Sequence, residues 1–256
     1  MGNLTKAAGF AFSILTSVAI HAADVDYSKL SDAERIELSR ATEIWGPEPS
    51  AVTTRDGAAP SDAIALLADK DLSAWESANG GPAEWKFKQG VLTVKPAAGD
   101  IRSKESFCDM QLHLEWKVPT EHEGMVGQQR YNSGIFIQER YEIQILDSYQ
   151  NPTYSNGQAG SLYKQVPPLV NAMRPSGQWQ TYDIIFTAPR FEKDELVAKG
   201  HITVLHNGVV VQNHQEIQGT TEWIGPPKVV PHGCAPIRLQ DHGNPVSFRN
   251  IWVRKL

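Results

Sequence analysis

Residues His201–Gln212 read HITVLHNGVVVQ. Two short apolar runs flank Asn207-Gly208, a dipeptide that tolerates the positive φ of a tight turn, so the stretch is predicted as a β-hairpin. The same texture extends in both directions. AIALLA, EWKFKQGVLTV, QLHLEWKV, SGIFIQ, YEIQIL and WQTYDIIFTA precede it, and PIRLQDH and VSFRNIWVRKL follow it. Gln89-Gly90 marks a second hairpin turn. Strands at a spacing of roughly 10–15 residues, with no helical pattern between them, indicate an antiparallel β-sandwich or barrel. No repeat with a propeller-like period is visible.

The chain has 256 residues, of which 41% are hydrophobic and 21% charged, with a net charge of −5. That is enough for one domain with a sizeable core plus an extension. The mild negative charge and the lack of a Lys/Arg cluster argue against nucleic acid or an anionic membrane as partner. The N-terminus, MGNLTKAAGFAFSILTSVAIHAAD, has a basic Lys6, an apolar stretch from Ala7 to Ile20 and a small residue, Ala22, at a cleavage-like site. It reads as a signal peptide over residues 1–22, giving a periplasmic or secreted protein with no membrane contact after cleavage. Two cysteines, Cys108 and Cys234, permit one disulfide or two buried thiols. Zinc-ligand spacings, a phosphate-cradling glycine loop and a nucleophile elbow are absent.

Residues 23–60 form an extension and linker. Ser31 and Glu34 make a capping box ahead of Ile36, Leu38 and Ile44, and Gly46, Pro47 and Pro49 stop the helix. The β-rich texture occupies residues 61–256. Within it, Ser148–Gln178 is too long for a simple hairpin loop and is rich in Tyr, Asn, Gln and Gly, which suits contacts to a polyhydroxylated ligand.

Strand alternation puts Glu142 and Gln144 on one face of YEIQIL, opposite Ile143 and Ile145. In PIRLQDH it puts Arg238, Gln240 and His242 opposite Ile237 and Leu239. A solvated sheet face would explain either strand alone. The mixture of Glu, Gln, Arg and His with few lysines, beside aromatic-rich loops, favours a site. Lys104 and Arg140 are further cationic candidates. Tyr149, Tyr154, Tyr163 and Trp179 are candidates for stacking on a sugar ring, and Asp147 for binding its hydroxyls.

Several stretches together resemble the 3-keto-disaccharide hydrolase domain. They are ALLADKDLSAWES, EWKFKQGVLTV, DIRSKESFCDMQLHLEW, NSGIFIQERYEIQILDSYQNPTYSNGQAGSLY, PPLVNAMRPSGQWQTYDIIFTAPRF and LQDHGNPVSFRNIWVR, in that order. The resemblance implies an all-β, concanavalin-A-like sandwich (a jelly roll) preceded here by a short N-terminal helical extension. It implies as substrate a glycoside whose carbon-3 hydroxyl a separate sugar 3-dehydrogenase has oxidised to a ketone, and a lyase step followed by hydration. Laminarinase-type relatives of that fold carry Glu-x-Asp-x-Glu on one strand, whereas this chain has Glu142-Ile143-Gln144-Ile145-Leu146, so two of three acids are missing. A 3-ketone instead acidifies the carbon-2 proton and permits β-elimination of the aglycone. For that chemistry Glu142 or His242 would act as base or acid, Arg238, Gln144 and Lys104 would polarise the ketone, and Gln240 and Tyr163 would orient hydroxyls. No cofactor is called for with certainty; a divalent metal ion is an alternative electrophile, with ligands the sequence does not specify. A non-catalytic carbohydrate-binding module and a conventional glycosidase are the competing readings.

Overall fold

The computed structural model describes residues 26–55, 57–67 and 71–256, so the signal-peptide expectation lies outside the described residues. The chain divides at Ala51/Val52 into two compact units. In the first, helix α1 spans Asp32–Arg40 and has the expected capping box: Glu34 N–H donates to Ser31 Oγ, and Ser31 N–H to Glu34 Oε2 at 2.8 Å. None of its side chains is buried, so capping rather than packing defines its start.

The second unit holds the strands. They are β1 (Ile64–Leu67), β2 (Trp75–Ser77), β3 (Lys86–Lys88), β4 (Val91–Thr93), β5 (Ile101–Phe107), β6 (Met110–Lys117), β7 (Ser133–Ile137) and β8 (Tyr141–Ile145). There follow β9 (Gln180–Thr187), β10 (Arg190–Glu192), β11 (Glu195–Ala198), β12 (His201–His206), β13 (Val209–Glu216), β14 (Ala235–Leu239) and β15 (Ser247–Lys255). One sheet runs β13-β12-β9-β6-β15-β4-β3, with β1 also on β15; the other runs β2-β5-β14-β7-β8; β10 and β11 form a separate hairpin. All pairings are antiparallel. The two large sheets make the jelly-roll sandwich. Both expected hairpin turns are present, with Gln89-Gly90 and Asn207-Gly208 all at positive φ.

The core lies between the sheets. Met110, Leu112, Leu114 and Trp116 point inward from β6, while Gln111, His113, Glu115 and Lys117 alternate outward. Ile135, Ile143, Ile145 and Ile237 face them from the smaller sheet, each with no accessible surface. Strands β7 and β8 do not present a solvated face, the competing reading of their polar residues, because every one of their residues is buried. The long connection after β8 supplies part of the cover. Gln144 N–H donates to Ser161 O, Gly160 N–H to Gln144 O, and Tyr163 N–H to Glu142 O, so residues 160–163 lie along the free edge of β8 as an irregular extra strand. This pairs backbone groups that a bare sheet edge would leave open.

Of the two states open to the cysteines, the structure has the disulfide: Cys108, just after β5, is bonded to Cys234, just before β14, across a sequence separation of 126. Closing so long a loop restricts the unfolded chain by roughly 4–5 kcal/mol in the chain-entropy picture. Cys108→Ser/Cys234→Ser is therefore expected to melt about 10 °C below the parent chain in differential scanning calorimetry. An unchanged Tm would show that the loop closure contributes nothing.

Candidate active site

The smaller sheet presents its outer face as a cleft of about 570 Å³, lined by Gln128, Gln129, Asn132, Phe136, Glu142, Gln144, Tyr154, Tyr163, Thr221, Trp223, Gln240 and His242. Register builds its floor. Glu76 pairs with Arg102, Arg102 with Arg238, Arg238 with Phe136, and Phe136 with Glu142, one side-chain row across all five strands. In the neighbouring row Gly134 stands opposite Gln144, and Gln240 N–H donates to Gly134 O at 3.0 Å.

Glu142 is the acid of this floor, and among the described residues it is the only carboxylate lining the cleft. It is 4% exposed. Its carboxyl leans over Gly134, where an added Cβ would sit 2.4 Å from Oε1, so a side chain at 134 would occupy its seat. Among the described residues no ion pair compensates the burial. Desolvation therefore pushes its pKa up to about 8, only partly offset by Arg238, while Asp100 adds to the rise. Arg238 itself is engaged elsewhere: it pairs with Asp100, and its guanidinium lies 3.7 Å from the Phe136 ring centroid. Phe136 stands between it and Glu142, two strand spacings or roughly 10 Å across the sheet.

Two residues along, Gln144 is 1% exposed. Its amide is satisfied with the nitrogen donating to Ser133 O at 3.1 Å and to Glu142 Oε1 at 3.2 Å. Gln128 is held by its own donation to Gly157 O at 2.8 Å and Thr153 Oγ1 at 3.1 Å, and Asn132 donates to Gln128 O at 2.9 Å. Among the described residues the Gln240 side-chain oxygen is buried without a hydrogen-bond partner.

Loops make the walls. Tyr154 and Tyr163 hydroxyls are 2.7 Å apart, and burial with the Tyr154 contact drives the Tyr163 pKa far up, keeping it a neutral O–H donor. Thr221 Oγ1 accepts from Glu142 N–H at 2.9 Å, and Thr221 N–H donates to Arg140 O at 2.8 Å, which fixes the 218–234 loop to β8. Among the described residues no three His, Cys, Asp or Glu side chains converge as metal ligands, and Glu142 and His242 are the two such groups on the cleft.

A profile of the 3-keto-alpha-glucoside-1,2-lyase-like domain matches residues 62–254. The chain belongs to this family. Within the 3-keto-alpha-glucoside-1,2-lyase-like family it is similar to a 3-keto-disaccharide hydrolase of Bacteroides thetaiotaomicron, 24% identical over 75% of this chain and 78% of the relative. Among solved structures it is similar to a provisionally named glycosyl hydrolase of Parabacteroides distasonis, 54% identical, TM-score 0.81, covering 85% of this chain and 96% of the other. A second P. distasonis structure, at 20% identity and TM-score 0.56 over 76% of this chain and 94% of that one, shares the fold.

In this family member the cleft unites Glu142, Gln144, Gln240, His242, Tyr163 and Tyr154 from the sequence-derived candidates. Others lie elsewhere. Lys104 is exposed in a separate depression beside Trp75 and Glu76. Arg238 belongs to the floor row but is held by Asp100 and Phe136, so it does not serve as a ready ketone donor. Arg140 sits in the β7–β8 turn and donates to Gln138 O. Asp147 is fully buried, bonded to Arg130 Nε at 2.8 Å and Ser176 Oγ at 2.7 Å, and braces the loop instead of binding a ligand. Tyr149 packs on the core. Trp179 precedes β9 on the other sheet, under Lys117 and Arg249. Sequence reading missed Gln128, Gln129, Asn132, Phe136, Thr221 and Trp223, and it missed Gly134, whose role depends on a neighbour's side chain.

Two outcomes follow for the carboxyl. A raised pKa means the folded state binds the proton more tightly than the unfolded chain, so this group's stabilisation is complete below about 4.5 and lost as pH rises through about 8. Glu142→Gln, neutral at all pH, is expected to melt above the parent at pH 8.5 and close to it at pH 4.5. The same difference at both pH values would refute the buried-carboxyl assignment. Gly134→Ala should push the carboxyl outward and lower its pKa toward the ordinary range, read by carboxyl ¹³C NMR titration; an unmoved titration would refute the seat.

Proposed function

We propose that this chain is an exported carbohydrate-active enzyme that cleaves 3-ketoglycosides by β-elimination followed by hydration, a net hydrolysis. The observation that carries the reading is Glu142: one buried carboxyl with its proton affinity raised to about 8, on the floor of an amide-lined cleft. A conventional glycosidase needs two carboxyl groups flanking the scissile bond, and among the described residues no second acid lines this cleft. The nearest alternatives are engaged, Asp100 with Arg238 and Asp241 with the backbone of Gly99 and Gly243. A binding module, in turn, would have no use for a carboxyl buried at a cost to stability.

In the proposed reaction ionised Glu142 takes the carbon-2 proton. The C2–H electrons form the C2=C3 bond of an enediolate, and the ketone oxygen takes the charge. Collapse re-forms the C3=O bond, makes C1=C2 and expels the aglycone oxygen from carbon 1. A carboxyl with pKa near 8 suits both taking and returning a proton near neutrality. Asn132, Gln128 and the Tyr163 hydroxyl are assigned to the developing oxyanion, Gln240 to a sugar hydroxyl, and His242 at the rim to the leaving oxygen. Water then adds at carbon 1 and a proton at carbon 2, giving the free 3-keto sugar.

The substrate class requires a sugar 3-dehydrogenase acting earlier. Export is supported by the disulfide, which persists in oxidising compartments, and by the apolar N-terminal sequence. The test is incubation of purified protein with a glucoside and its 3-keto derivative in deuterated water. Release from the keto form alone, with deuterium at carbon 2 of the product, is expected. Glu142→Gln should lower kcat about 100-fold or more. Cleavage of the unoxidised glucoside, or release without deuterium, would sink the proposal.

A further inference from the structure

We propose that Trp223 is the aglycone platform of this cleft, making the preferred leaving group one that carries a ring with a flat apolar face. This rests on the reading of Glu142 as the group that attacks the keto-sugar.

Burial grades the cleft from floor to rim. Glu142, Gln144 and Asn132 are between 1% and 5% exposed, whereas Trp223 is 76% exposed although it lines the same cleft. A keto-sugar seated with carbon 2 at Glu142 occupies the amide-lined floor, and its carbon-1 substituent must extend toward the rim. A cleft of about 570 Å³ lies within the range that takes multi-ring ligands, so it has room beyond one sugar ring.

An indole left in water at the tip of a loose loop would carry no argument, but this loop is fastened. Thr220 N–H donates to Lys228 O at 2.9 Å, and Lys228 N–H returns a bond to Thr220 Oγ1 at 3.3 Å. Glu222 accepts from Thr220 Oγ1 at 2.8 Å and pairs with Lys228 Nζ at 3.2 Å. Gly219 lies so close to Lys228 that a Cβ there would meet its carbonyl oxygen at 2.5 Å. Gln165 Nε2 donates to Gly219 O at 3.0 Å, and Thr221 is tied to β8 on both sides. Pro226 and Pro227 stiffen the return. The loop therefore fixes the backbone on both sides of Trp223, whose exposed apolar ring lines the cleft that holds Glu142. Aromatic surface on a pre-ordered backbone stacks on the C–H face of a sugar or on an arene at reduced entropic cost.

The experiment compares kcat/KM of the parent chain, Trp223→Ala and Trp223→Phe on three 3-ketoglucosides: methyl, phenyl and glucosyl (the disaccharide). Trp223→Ala is expected to lower the ratio of ring-bearing to methyl kcat/KM about tenfold, the scale of one aromatic stacking contact with its burial, and Trp223→Phe to restore most of it. A larger change with phenyl or with glucosyl identifies which ring is preferred. An equal change on all three substrates, or none on both ring-bearing ones, overturns the platform. A parent chain inactive on all three overturns the reading of Glu142 on which it rests, a distinct result. At 76% exposure the side chain contributes little to folding, so matched thermal melts of the variants are expected.

Discussion

The pleat of β8 is the constraint on which this molecule turns. Ile143 and Ile145 have no accessible surface, and strand geometry then sends Glu142 and Gln144 together to the opposite face. A slip of one residue would drive a carboxylate into the apolar core and lift two isoleucines out of it, so core packing enforces the orientation of the site. What strand parity does not supply is the environment on that second face. Loops from three parts of the chain bury it, and that burial turns an ordinary surface glutamate into a group that holds its proton near neutral pH.

The cleft shows how a carboxyl can be kept costly on purpose. Gly134 yields the space, Phe136 stands between the carboxyl and Arg238, and Gln144 offers a neutral amide. None of the three neutralises it. The ionic strength of the fold is spent elsewhere, in the Arg130–Asp147–Ser176 cluster that braces the base of the long loop and in the Arg238–Asp100 and Arg102–Glu76 pairs along the floor. The paired charges of the floor and the unpaired carboxyl thereby sit on different strands of the smaller sheet.

The legible parts of this protein were the local ones. Turn dipeptides gave the hairpins, alternation gave the face of Glu142, Gln144 and Gln240, and the length of Ser148–Gln178 pointed to a loop that lines the cleft with Tyr154 and Tyr163. The residues misplaced by sequence reading have their partners far away: Asp147 meets Arg130 and Ser176, Arg238 meets Asp100, and Trp179 meets Arg249. Alternation states which way a side chain points and is silent about what waits there. Trp223 escaped notice for the complementary reason, since its segment has no period and the bonds that fasten its loop, from backbone, hydroxyl, the Gln165 amide and the Glu222–Lys228 pair, are not marked by composition.

The Cys108–Cys234 bond has a topological consequence for the cleft. The covalent ring it closes contains Gln128, Gln129, Asn132, Phe136, Glu142, Gln144, both tyrosines, Thr221 and Trp223, while Gln240 and His242 follow directly on the strand that leaves it. A single backbone cut in any of the exposed loops between those cysteines would open the ring without dividing the molecule. Every residue lining the cleft would stay covalently joined after such a cut.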